Sequence, residues 1–159
     1  MHDREPAAAG RWRELARRGE YKQAYSALGH ARAEVPDSPE DRMLAADIAR
    51  LSGHPEQAVP HLRAVCERFP DDPRAPVAAF TLGRVLLDLH RPREAAAAFH
   101  RARTLWSQGP LALDAWANEA EALHAAGDAA RAARVATRYV ARHPDGRHAA
   151  AMRVLSGAP

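Results

Sequence analysis

The chain has 159 residues, with 23 basic and 20 acidic side chains, nine histidines and one cysteine. That length suits one compact domain or a short repeat array with its own core, and a lone cysteine excludes an internal disulfide framework. The formal charge of +3 is too small and too evenly spread for a nucleic-acid footprint, and no apolar run is long enough to span a membrane.

Composition argues for helix throughout, because 38 alanines and 22 arginines stand against one lysine, Lys22, and only nine aromatic residues. The excess of arginine over lysine reads as coding bias, since no arginine cluster interleaved with aromatics accompanies it. Met1-His2-Asp3-Arg4-Glu5-Pro6 lacks the apolar stretch of a secretory signal, and residues 1–9 read as a disordered leader or linker. Helices are then expected near 10–18, 21–34, 39–52, 56–69, 74–89, 92–106, 110–126, 129–142 and 146–155. Ser38-Pro39-Glu40-Asp41 marks one start, with a cap, a proline in the first turn and an acid three residues after the cap. Asp72-Pro73 repeats the device.

Internal repetition decides how these helices combine. Gly19-Glu20-Tyr21-Lys22-Gln23-Ala24, Gly53-His54-Pro55-Glu56-Gln57-Ala58, His90-Arg91-Pro92-Arg93-Glu94-Ala95 and Gly127-Asp128-Ala129-Ala130-Arg131-Ala132 align, their closing alanines 34, 37 and 37 residues apart. Twelve residues before the last three alanines stand Ala46, Gly83 and Ala120; four after each stand Leu28, Leu62, Phe99 and Ala136. Pro36, Pro70 and Pro144 close three of the four units. Each unit therefore reads as a helix–turn–helix pair. Small residues let its two backbones approach, a turn glycine takes positive φ, and a proline ends the second helix. His90 departs from the turn glycine, and Pro110 falls three residues late.

These small residues, turn glycines and closing prolines resemble the tetratricopeptide repeat family over roughly 8–144. The resemblance implies an all-α, right-handed superhelix, an α-solenoid of about four helix-turn-helix units with a C-terminal capping helix. The units fall near 10–36, 38–70, 74–107 and 110–144, and 145–159 forms the cap and tail. The 37-residue spacing and Phe69-Pro70-Asp71-Asp72-Pro73-Arg74-Ala75 resemble the bacterial envelope branch of that family. More narrowly, Trp12 to Tyr21 and Leu44 to Gly53 look like the repeat tail of FecR-domain regulators.

Carried over position by position, the family's partner-binding groove comprises Met43, Asp47 and Arg50, then Val77, Phe80, Arg84 and Leu87, then Asn118, Glu121 and His124. Glu40, Asp114 and Ala117 lie at neighbouring groove positions. The carboxylate clamp of chaperone-binding relatives is incomplete here, because only Asn118 and the arginines occupy its positions. Trp12 lies where a complete array would offer a preceding helix, so it is expected to be an edge contact with a neighbouring domain or a second copy.

Nothing in the motifs points to catalysis, metal or cofactor. The histidine pairs His54/His61 and His143/His148 lack the i, i+4 spacing of a helical zinc site, and Cys66 shares an apolar helix face with Leu62, Val65 and Phe69. Glu119 and Glu121, two apart, face different sides of a helix. No nucleophile elbow or phosphate-cradling glycine loop is present. The expectation is a non-catalytic scaffold with a protein or peptide partner, no nucleic acid and no membrane insertion by this chain. The alternative is a self-assembly module that forms a homo-oligomer through open solenoid edges. Its compartment would be periplasmic as a FecR-type tail, and otherwise cytoplasmic.

Overall fold

The computed structural model describes the backbone of residues 5–30 and 35–157. Among these residues there are helices and turns and no strand: α1 (Glu5–Arg17), α2 (Tyr21–His30), α3 (Pro39–Leu51), α4 (Pro55–Arg68), α5 (Ala75–Asp88), α6 (Pro92–Leu105), α7 (Ala112–Ala125), α8 (Ala129–Arg142) and α9 (Ala149–Ser156). Two compact units divide them, residues 1–75 and 76–159. In the first, α1 packs on α2, α2 on α3 and α3 on α4; in the second, α6 packs on α7, α7 on α8, and α9 on both α7 and α8.

The turn chemistry repeats as the spacing implies. Gly19, Gly53 and Gly127 have φ of 76°, 95° and 81°, and His90 adopts the same left-handed conformation at 55°. Each of these turns ends a helix with a backbone bond five residues back: Glu20 to Leu15, His54 to Ala49, Arg91 to Leu86 and Asp128 to Leu123, at 2.8–3.0 Å. That bond satisfies a carbonyl orphaned by the helix end. At His90 the conformation costs what a side chain costs in that region, and exposure keeps the imidazole clear of its surroundings.

Boundaries between repeats differ from expectation in one consistent way. α5, α7 and α9 begin one to three residues late, at Ala75, Ala112 and Ala149. Two successive four-residue turns precede each: Phe69–Asp72–Ala75, Trp106–Gly109–Ala112 and His143–Gly146–Ala149, closed by backbone bonds of 2.8–3.1 Å between residues three apart. The three sets share the 37-residue period, so the late Pro110 does not stretch its unit. Backbone turns fix this connection, and Ser107 serves where the other repeats have proline.

At the other end α1 begins at Glu5, inside the stretch read as a leader. Pro6 in the first turn and three following alanines suit a helix start. Residues 1–4, the last part of the expected 21–34 helix (31–34) and residues 158–159 of the tail lie outside the described residues. The cap of α3 forms as expected, Ser38 Oγ accepting the Asp41 N–H at 3.1 Å. Asp72 instead accepts the Arg74 N–H at 2.9 Å, stabilising the turn ahead of α5.

The small-residue positions make the core. Ala46, Ala58 and Leu62, Gly83, Ala95 and Phe99, and Ala120, Ala132 and Ala136 are all buried. Where Ala136 leaves space, Trp116, Tyr139 and Met152 fill it, the two rings edge-on at 5.8 Å. Trp12 requires a correction. It is 1% exposed, packed with Ala16, Ala24 and Ile48, so α1, α2 and α3 already enclose the indole. It is an interior residue worth about 3 kcal/mol of burial, not an edge contact. Small Ala16 and Ala24 leave room for it, a complementarity that the position of Trp12 alone does not reveal.

Candidate functional site

The groove residues lie on the first helices of their pairs, spaced three and four apart so that each helix presents its set on one side. On α3, Met43 is half-buried, and Arg50 Nε donates to Asp47 Oδ1 at 2.8 Å, which neutralises that pair. On α5, Val77 is 45% exposed, Arg84 is exposed, and Phe80 and Leu87 are half-buried. Phe80 meets Phe99 edge-on at 5.5 Å, so one side of its ring belongs to the core.

On α7 the carried-over positions divide into two groups. Asp114 accepts from His148 Nε2 at 2.6 Å and pairs with Arg147, which ties it to the segment leading into α9. Ala117 is buried, and Asn118 Nδ2 donates at 2.8 Å to the Asp114 carbonyl one turn back. Glu121 and His124 are exposed. Like Arg84, they have no side-chain hydrogen bond or ion pair among the described residues.

Three further clefts lie among the described residues. One of about 520 Å³ in the first unit is lined by Tyr25 and Leu28 of α2, Arg42 of α3, and Gln57 and His61 of α4. Arg42 donates to His61 Nδ1 at 3.3 Å, which requires an unprotonated Nδ1. Burial first, and then the Arg42 charge, lower the His61 pKa below its usual 6.5. Tyr25 stacks on His54 with ring centres 3.9 Å apart. A small surface cleft is lined by His90 to Glu94, Ala125 and Ala126.

The third cleft, of about 300 Å³, runs between α6 and α8 over α7 and holds a residue that sequence reasoning set aside. Glu119 is 3% exposed. Its Oε2 accepts from Arg103 Nε at 2.6 Å and its Oε1 lies 2.9 Å from His100 Nδ1, so both oxygens are engaged. The Arg103 guanidinium also stands 4.9 Å over the Trp116 ring. The signal was available in the repeat itself. Glu119 aligns with Ala45 and Leu82, each one residue before the small position and each buried, while Arg103 aligns with Cys66 and Val140. A buried carboxylate at an apolar repeat position needs a cation, and the sequence supplies one at the facing repeat position.

Among the described residues no three of His, Cys, Asp or Glu gather as a metal site, and no helix is long and apolar enough to cross a membrane. Two tetratricopeptide-repeat models match the chain, one over residues 15–75 and the other over 80–155. No curated protein matches it. Among solved structures, the chain is similar to nearly identical TPR-like repeats assigned to a kinesin light chain of Podosopora anserina (TM-score 0.65, 15% identity, covering 99% of this chain and 90% of that one). It is similar also to the MamA RS-1 ArsTM double mutant (0.64, 18%, 98% and 86%). A third likeness is to PilW, a type IV pilus biogenesis factor (0.58, 21%, 99% and 72%). At these identities the likeness is one of fold, an α-solenoid of repeat units. The repeat period, the turn bonds and the two family matches agree, and the chain belongs to the tetratricopeptide repeat family, whose repeats generally mediate binding between proteins.

Proposed function

We propose that the chain is a non-catalytic scaffold that captures a protein or peptide segment on the exposed sides of its first helices, through Met43, Asp47 and Arg50 in the first unit and through Val77, Phe80, Arg84, Leu87, Asn118, Glu121 and His124 in the second. The observation that carries this reading is the state of α5 and α7. Val77 is 45% exposed beside half-buried Phe80 and Leu87, while Arg84, Glu121 and His124 have no side-chain partner among the described residues. Apolar side chains available for burial, ringed by uncommitted charge, are what a binding hot spot needs. We assign the scaffold to a bacterial envelope protein on the resemblance of the 37-residue spacing and the Phe69–Ala75 stretch, and more narrowly to a FecR-type signalling protein on that of the Trp12–Tyr21 and Leu44–Gly53 stretches.

The test is a peptide-display selection on the intact chain, followed by binding to the Val77→Asp/Arg84→Glu variant. Both positions are exposed, so the melting curve stays close to wild type. Binding of selected peptides falls at least about tenfold if this side is used. Unchanged binding contradicts the assignment. One observation favours self-assembly as the second reading: Val154 on α9 is 79% exposed. Sedimentation over a range of concentrations separates the two, because only self-assembly raises the mass with concentration.

A further inference from the structure

Charge is less evenly distributed than composition suggests. Residues 76–159 contain eleven arginines and seven acidic residues, while residues 1–75 contain twelve basic and thirteen acidic ones. The excess concentrates on α8. From Ala129 to Arg142 this helix has no acidic residue, and Arg131, Arg134, Arg138 and Arg142 recur at i, i+3, i+7 and i+11, along one stripe. All four are exposed, and Arg134 and Arg138 have no ion-pair or hydrogen-bond partner among the described residues. Like charges one turn apart repel, so the stripe is a standing cost in the free chain.

The stripe enters the furrow between α6 and α8 at its first member, Arg131, and continues from there along α8. Arg93 and Arg131 line its walls, together with the small apolar surfaces of Ala96, Ala97 and Leu123. Two carboxylates also line it, and both are engaged. Glu119 is held by Arg103 and His100, and Asp128 accepts the Arg131 backbone N–H at 3.1 Å as the cap of α8 and pairs with the Arg131 guanidinium at 3.6 Å. At the far end, Arg142 stands 5.7 Å over Trp116. Arg131 thus has one carboxylate beside it, while Arg93, Arg134 and Arg138 have none among the described residues, over a shallow apolar floor.

We propose that this furrow docks an acidic peptide segment, its carboxylates bridging Arg93 of α6 to Arg131, Arg134 and Arg138 of α8. Guanidinium forks match carboxylates two bonds at a time, and the alanine-lined floor accepts the methylenes of a glutamate. A single-stranded nucleic acid would need open aromatic faces for its bases, whereas Trp116 is 8% exposed and covered by guanidinium groups. An anionic membrane would need large apolar side chains beside the basic ones. The exposed neighbours on α8 are Ala129, Ala130, Thr137 and Ala141. This surface is separate from the α5 and α7 positions assigned above, so either assignment can fail without the other.

The experiment titrates the full chain into a fluorescein-labelled peptide of alternating glutamate and alanine, followed by anisotropy at low and near-physiological salt. Arg134→Glu/Arg138→Glu should weaken binding by about tenfold or more, with circular dichroism unchanged. Arg11→Glu/Arg17→Glu alters net charge equally on exposed positions of α1 and should have little effect. Equal loss in both variants, or no binding at low salt, overturns the proposal. Tighter binding of phosphatidylserine vesicles or a single-stranded oligonucleotide, with the same dependence on Arg134 and Arg138, overturns it as well.

Discussion

Gly83 is small because Phe99 is large. A Cβ on Gly83 would lie 2.6 Å from two atoms of the Phe99 ring, closer than any relaxed contact. The equivalent pairs are Ala46 with Leu62 and Ala120 with Ala136, so the repeat trades volume between the two positions. Gly83→Ala should therefore cost about 1–3 kcal/mol by overpacking, and adding Phe99→Leu, which recreates the second repeat, should recover most of that loss. Chemical denaturation of both single variants and the double checks it; additive losses would show that the two positions do not share the space. This exchange was legible from sequence offsets alone. His61 was not, because its environment comes from three helices. Its folded pKa lies below 6.5, chiefly from burial and then from Arg42. Below about pH 6.5 the unfolded chain takes up this proton first, so the stability it supports is present above that pH and is lost as pH falls toward the lowered folded value. Stability measured from pH 7.5 down to 5.5 should decline, and His61→Gln should flatten the decline; an identical slope in the variant would show that His61 does not carry the effect.

At the scale of elements, helix existence and order followed from the period, while helix starts did not. α5, α7 and α9 begin after paired backbone turns whose bonds leave no side-chain signature, since proline, serine and proline occupy the same loop position. Packing between successive pairs was legible only in part. Alanines, Leu62 and Phe99 announce an apolar seam, yet the third and fourth pairs meet through Arg103 and Glu119. Glu119→Leu alone should destabilise the chain by about 3 kcal/mol, because it leaves Arg103, only 21% exposed, without its carboxylate. Arg103→Val with Glu119→Leu restores the apolar types of the other repeats and should return to near wild-type stability or exceed it. Thermal melts of the three proteins decide this; a double variant as unstable as the single would show that the ion pair is irreplaceable at this seam.

Across the whole chain, the repeat period carries the family assignment, and the family carries the expectation of a protein partner. The partner surface was less legible. The offsets selected α3, α5 and α7, but they could not show that Asp47 is spent on Arg50, that Asp114 is tied to His148, or that Trp12 is enclosed by its own unit. Each of those outcomes depends on a residue 3 to 36 positions away, whose approach is set by packing. What stays uncommitted is the side of α5 and α7 bearing Val77, Arg84, Glu121 and His124. Hydrogen–deuterium exchange of the intact chain, with and without a peptide selected by display, tests this most directly. Protection gained on α5 and α7, and lost in Val77→Asp/Arg84→Glu, is the expected result; a peptide that protects only helices other than α3, α5 and α7 would contradict it.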